Sequence, residues 1–96
     1  MAAVVNVLSF KDPVDPAVFA AAERDMGDAM RAIEGFEGFE VVHTGAEEVV
    51  LIIRADTPET LDRIATEVGS PWMVEHVVPL LAGPPARRLG PTIASV

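Results

Sequence analysis

Residues Val49-Val50-Leu51-Ile52-Ile53 form an unbroken apolar run, bounded by Glu47-Glu48 on one side and Arg54-Ala55-Asp56 on the other. A short run this rich in β-branched side chains reads as a strand. Successive strand side chains point to opposite faces, so Val49, Leu51 and Ile53 face one way and Val50 and Ile52 the other. A sheet covered by helices on one side only should alternate apolar with polar residues. Here both faces are apolar and both require cover. The run Val4 to Phe10 repeats the pattern, with Val4 and Leu8 opposing Val5 and Val7. A chain of 96 residues has too little left to build a second covering layer. A second copy is the simplest cover, and the expectation is a homodimer.

The rest of the chain supplies helices at regular intervals. Asp15-Pro16 opens one, with Asp15 capping free N–H groups and Pro16 at the first helical position. Phe19, Ala22, Met26, Ala29, Met30 and Ile33 then form an apolar stripe that ends at Gly35, a left-handed cap. Phe39 to Thr44 is the second strand, Gly45-Ala46-Glu47 a hairpin loop, and Glu48 to Ala55 the third strand. Asp56-Thr57-Pro58-Glu59 opens a second helix with the stripe Leu61, Ile64, Ala65 and Val68, predicted to stop at Gly69. Ser70-Pro71 starts a short third helix that kinks or ends near Pro79. After the turn Gly83-Pro84-Pro85, residues Thr92 to Val96 are predicted to form a fourth, edge strand. The order is β-α-β-β-α-β, an α+β ferredoxin-like domain with an antiparallel sheet, spanning 1–96 as one unit.

Charge and composition restrict the function. The net charge of -8 repels a phosphate backbone and an anionic bilayer, so neither nucleic acid nor a membrane is an expected partner. No apolar run approaches the roughly 20 residues of a membrane span. Met1-Ala2-Ala3-Val4-Val5 lacks a basic leader pattern, and cysteine is absent; both fit a cytoplasmic protein. Without cysteine, and with two histidines in unrelated positions, no metal site is expected. There is no Gly-rich phosphate loop and no serine or cysteine triad.

The candidate site residues are few. Asn6 is the one amide on an otherwise apolar strand face, shared with Val4, Leu8 and Phe10, and needs a partner there. It is a candidate donor to a ligand carbonyl or a developing oxyanion. Trp72, the only tryptophan, and His76 are four residues apart on the short third helix and share one face. They offer a flat wall and an imidazole suited to proton transfer. His43 and Arg54 end the second and third strands, where either can reach a pocket mouth or pair with an acid at the dimer edge. Arg87-Arg88 reads as a solvated turn.

The turn Glu34-Gly35-Phe36-Glu37-Gly38-Phe39, between the long helix and the second strand, resembles that of the antibiotic biosynthesis monooxygenase family. Ser70-Pro71, the short helix with His76, and the Gly83-Pro84-Pro85 turn are similar to it as well. The resemblance covers essentially the whole chain and implies a dimeric α+β barrel, two ferredoxin-like sheets meeting face to face. It further implies a pocket for a small apolar or aromatic ligand. Some members oxidise polyketide-like aromatics with dioxygen and no cofactor, others bind and degrade haem, and many have no established activity. In the first case Asn6 and His76 would be catalytic, with Trp72, His43 and Arg54 binding substrate. The haem-degrading members place an Asn in strand one and an axial His where Asn6 and His76 fall. They also carry a Trp nine or ten residues before that His, where this chain has Glu67 and Thr66. That departure favours the cofactor-free reading over haem, with a non-catalytic dimeric domain as the third possibility.

Overall fold

The computed structural model describes residues 1–96. Its elements are β1 (Ala2–Ser9), α1 (Pro16–Arg31), β2 (Phe36–Gly45), β3 (Glu48–Ala55), α2 (Pro58–Ile64), α3 (Ser70–His76) and β4 (Ala86–Pro91). The strands form one antiparallel sheet in the order β2-β3-β1-β4, the ferredoxin-like arrangement. Capping explains the helix starts. Asp15 Oδ1 accepts a hydrogen bond from the Ala17 N–H at 3.0 Å, and Thr57 Oγ1 accepts one from the Thr60 N–H at 3.2 Å. Each cap is followed directly by a proline, whose missing N–H would have no partner in a first turn.

The helices cover one face of the sheet. Ala2, Val4 and Leu8 of β1, and Val49, Leu51, Ile53 and Ala55 of β3, are buried beneath Phe19, Ala22, Met26 and Met30 of α1 and Leu61 and Ile64 of α2. All buried residues are hydrophobic. The other face carries Val5 and Val7, Val50 and Ile52, and the exposed Val42, and no element of the chain lies over it. The two-sided apolar pattern is thus present as read, with one side closed by the chain itself.

Two boundaries differ from the sequence reading. Gly69 does not stop a helix. It has right-handed helical angles (φ -67°, ψ -53°) and belongs to a π-helical turn, Ala65–Gly69, that fuses α2 to α3. The Ser70 N–H bonds to the Ala65 carbonyl, five residues back. Pro71 explains the wide turn. Its ring would clash with the carbonyl four residues earlier in a regular α-helix, and a π turn relieves that crowding.

The fourth strand is Ala86–Pro91 and not Thr92–Val96. β-propensity favours the Thr-Ile-Val tail, but a strand needs a partner. Ala2 of β1 pairs with Pro91, and the Thr92 N–H reaches the Met1 carbonyl at 3.0 Å. The β1–β4 register ends at that point, and Ile93 is exposed. Gly90 and Pro91 are tolerated because β4 is an edge strand. The helix ends near Pro79 as expected, through a short 3-10 turn at Val78–Leu80.

Gly35 is the one residue with positive φ, at 93°. A Cβ there would run into the Asp56 carboxylate, and the Asp56 N–H bonds to the Gly35 carbonyl at 2.9 Å. Gly35 therefore joins the turn after α1 to the turn after β3. Gly38 differs: it lies at a bulge in β2, and an added Cβ would meet the movable end of Arg54. Gly35→Val is expected to destabilise the fold by more than about 1 kcal/mol. Gly38→Ala is expected to cost less, because the Arg54 side chain can swing into solvent. Urea unfolding of the two variants checks the order, and equal midpoints would contradict it.

Candidate functional site

The alternation of β1 puts Asn6 on the helix-covered face between Val4 and Leu8, where it is half-buried. Register then decides its neighbours: Leu51 of β3 on one side and Arg87 of β4 on the other. Above them, the π turn and α3 bring Ala65, Gly69, Ser70, Trp72 and Met73 over the sheet, while α1 contributes Phe19, Met26 and Met30. Together these enclose a cavity of about 320 Å³ with 16 lining residues, 11 of them hydrophobic. Its polar lining groups are Asn6, Ser70 and Arg87.

A larger cleft of about 450 Å³ runs between α1 and β2, bordered by Glu23, Gly27, Arg31 and Gly38. Phe19, Met30 and Phe39 border both spaces. The smaller one is the better candidate. Its walls are predominantly apolar with a few convergent polar groups, the composition that desolvates and orients a small ligand.

Trp72 is buried at 7% exposure and anchors one wall. Its indole N–H donates to Asp25 Oδ2 on α1 at 3.2 Å, which ties α3 to α1. That bond holds the Asp25 carboxyl below its usual value, and Arg24 adds to the effect. An aromatic ladder runs through the same wall. Phe10 meets Phe19 edge-on at 5.9 Å, Phe19 meets Trp72 at 6.3 Å, and Trp72 meets the His76 ring at 4.9 Å with the planes 35° apart.

The structure therefore brings Asn6 and Trp72 to one cavity. His76 sits at the rim, stacked on Trp72, with its side chain 41% exposed and Nε2 3.9 Å from Glu75. It does not line the cavity. The remaining two candidates lie apart. His43 is exposed near the end of β2 and borders a separate hollow with Val14, Pro16 and Val49. Arg54 is on the opposite face of the sheet, paired with Glu40 at 3.0 Å. The alternation of the strands sets them on opposite faces, as their positions imply. His43 shares the strand period of the half-buried Val41, whereas Arg54 shares that of Ile52.

Two residues escaped sequence reasoning. Arg87 is not in a solvated turn; it is a β4 residue beside Asn6 that lines the cavity. Its alternation with Leu89 carries meaning only once β4 is placed at 86–91. Asp25 lies 47 positions from Trp72, and no local pattern links them.

No family model matches the chain, and no curated protein matches it. Solved structures do. SnoaB, a cofactor-independent oxygenase from Streptomyces nogalater, superposes with a TM-score of 0.73 at 13% identity, over 99% of this chain and 95% of its own. The monooxygenase ActVA-Orf6 of Streptomyces coelicolor, solved with nanaomycin D, gives 0.71 at 14% identity over 99% and 89%. MhuD, solved as a point mutant with two manganese protoporphyrin IX molecules per active site, gives 0.67 at 15% identity over 100% and 98%. At these identities the shared property is the fold. The resemblance first read from the Glu34–Phe39 turn is upheld at that level.

Because Trp72 is the sole tryptophan, its fluorescence reports the tie to α1. A depressed carboxyl pKa makes its contribution full above the unfolded value and lost as pH falls through the folded one. The Asp25–Trp72 bond is therefore expected to persist through the usual carboxyl value of 3.8 and to break only at lower pH, with a change in Trp72 emission. Asp25→Ala should remove that acid transition. An unchanged transition in the variant would assign it to other groups.

Proposed function

We propose that this protein is a cofactor-independent monooxygenase that oxidises an electron-rich, polyketide-like aromatic molecule with dioxygen, working as a cytoplasmic homodimer in which residues 1–96 form one domain. The observation that carries the reading is the sheet-to-helix cavity, apolar on most sides, walled by Trp72 and holding the Asn6 amide. The shared fold with SnoaB and ActVA-Orf6 supports it.

In such chemistry the substrate supplies the electrons. For an anthrone-type ketone, the ring methylene loses a proton, and the resulting carbanion is delocalised onto the ketone oxygen. It passes electrons to dioxygen and a C–O bond forms. The O–O bond then breaks: one oxygen becomes the new ring carbonyl, and the other leaves as water with the two methylene hydrogens. The chain would assist in three ways. Apolar walls exclude water and favour charge delocalisation. The Asn6 N–H donates to the developing oxyanion. Trp72 presents a flat face for stacking. His76 would accept the proton from a ligand portion that emerges past the Trp72 edge. His43 and Arg54, off this cavity, take no part within one chain.

Haem is the second reading, favoured by the fold shared with the porphyrin complex of MhuD. The residues here fit it poorly. An axial ligand has to offer its nitrogen inside the pocket, and both His76 and His43 lie off the cavity lining.

The dimer reading rests on Val5, Val7, Val42, Val50 and Ile52, which form an apolar face that the chain leaves open. Sedimentation equilibrium is expected to give twice the 10.2 kDa chain mass. Ile52→Glu should shift it to monomer, because a charge would replace an apolar contact across the interface. A wild-type monomer would overturn this part of the reading.

The activity test is oxygen consumption with an anthrone in metal-free buffer. Wild-type protein should accelerate uptake, and Asn6→Ala should lower kcat by about 10²-fold while binding largely persists. His76→Ala should also lower kcat. Inertness toward anthrones, with a His76-dependent Soret band on haem titration, would reverse the ranking in favour of haem.

A further inference from the structure

Two hollows lie between the helices and the sheet, and one wall divides them. Phe19, Met30 and Phe39 border both the cavity of about 320 Å³ and the cleft of about 450 Å³ between α1 and β2. The exposure of the cavity's lining tells its two ends apart. Val74, Val78 and Pro85 are exposed and mark the mouth, on the side of α3 and β4. Met30 is 1% exposed, Phe19 is buried and Phe39 is half-buried, so the shared wall is the inner end. The cleft beyond it adds Phe36 and Val41 to an apolar floor and carries Glu23 and Arg31 at its rim. Phe19 borders two further hollows as well, in an interior where such gaps are normally few.

Gly27 is what leaves the cleft open. It stands in the middle of α1, where glycine is among the poorest helix formers. Its φ is not positive, and the three atoms nearest to an added Cβ all belong to the Arg31 guanidinium, the closest at 3.2 Å. Arg31 is an exposed side chain paired with the equally exposed Asp28, so it can swing into solvent. Neither the backbone angles nor a backbone neighbour therefore calls for glycine at this position. Gly27 borders the cleft and not the cavity.

We propose that the cleft is the way in for dioxygen, which crosses the Phe19–Met30–Phe39 wall to reach a ligand already seated in the cavity. This deepens the oxygenase reading and rests on it. That reading puts two reactants in one small space. The flat ligand comes in by the exposed mouth and stacks on Trp72, and in doing so it closes the mouth behind it. The second reactant then needs a second route, and the wall selects for it. All three of its side chains are apolar, so a crossing water would lose hydrogen bonds with nothing to replace them. Dioxygen is small and apolar and has none to lose. Met30 is the side chain that yields, because its unbranched thioether has several rotatable bonds. Phe19 is held between Phe10 and Trp72 by ring contacts at 5.9 and 6.3 Å.

The test has one arm with turnover and one without. Gly27→Leu fills the cleft and Gly27→Ala leaves most of it open, while both gain nearly the same helix propensity. At saturating anthrone, Gly27→Leu should lower kcat/KM for dioxygen by about tenfold. Gly27→Ala should stay close to wild type, and KM for the anthrone should be the same in all three proteins. The second arm uses xenon, an apolar atom that occupies dry cavities. Wild-type crystals pressurised with xenon are expected to hold an atom at the Phe19–Met30–Phe39 wall. Equal oxygen dependence in three active proteins overturns the passage and leaves the oxygenase reading standing. A raised KM for the anthrone in Gly27→Leu also overturns it, because the cleft would then admit the ligand. Inertness of all three proteins toward anthrones is a failure of the oxygenase reading itself. In that case xenon at the wall keeps the passage as a route for a small apolar gas, and an empty wall overturns both.

Discussion

The register of β1 is the constraint on which the cavity depends. β1 lies inside the sheet, paired over eight residues with β3 and over six with β4. Val4 and Leu8 are almost wholly buried beneath the helices, and Asn6 is between them on the same face. A slip of one residue would turn Asn6 away from the helices and bring Val5 and Val7 under them. Burial of Val4 and Leu8 on one strand and of Leu51 and Ile53 on its neighbour resists that slip. An apolar packing preference thus positions the polar group. Asn6 is carried to the pocket by its neighbours, and Arg87 is placed beside it by the same pairing.

The roof of the cavity has a different origin. A regular α-helix from Pro58 to His76 would have to pass Pro71 with its ring against the preceding turn. The π turn at Ala65–Gly69 opens the spacing there, and three members of that junction, Ala65, Gly69 and Ser70, border the cavity. Trp72 follows within the first turn of α3. Its contact with Asp25 spans from α3 to α1, and its stacking on Phe19 extends the same connection through apolar atoms. The wall is therefore held at its polar edge by one hydrogen bond and along its length by aromatic contact. His76, one turn further on, continues the stack into solvent.

The two sheet faces divide the labour. The helix side holds the cavity and its polar pair. The other side presents Val5, Val7, Val50 and Ile52, with the Arg54–Glu40 pair toward one edge and Arg88 on the other. An apolar surface bordered by charges is what a self-complementary interface would use. On this view the residues that would shape the site and those that would join two copies alternate along the same strands, one step apart.

Much of this was legible in local patterns. The strand runs, the caps at Asp15 and Thr57, the left-handed Gly35 and the two-sided apolar faces each follow from short-range stereochemistry, which a sequence carries without reference to distant residues. Asn6 could be picked out because one amide among valines and leucines stands out at period two. The failures share a physical cause. Thr92–Val96 has the better β propensity, yet Ala86–Pro91 is the strand, because those are the residues that the chain's path over the sheet sets in register with Val7 to Ala2 of β1. Gly69 has the composition of a helix stop, yet the helix continues, because the turn needed was the one that accommodates Pro71. Arg87 joined the cavity only when its strand was placed opposite Asn6, and Asp25 met Trp72 only when α1 and α3 packed on the same sheet. The sequence alone determined which segments are strands or helices, the last strand excepted, and on which side Asn6 lies. The tertiary structure decided which distant groups share its pocket, because strand pairing and helix packing act between residues that no local period connects.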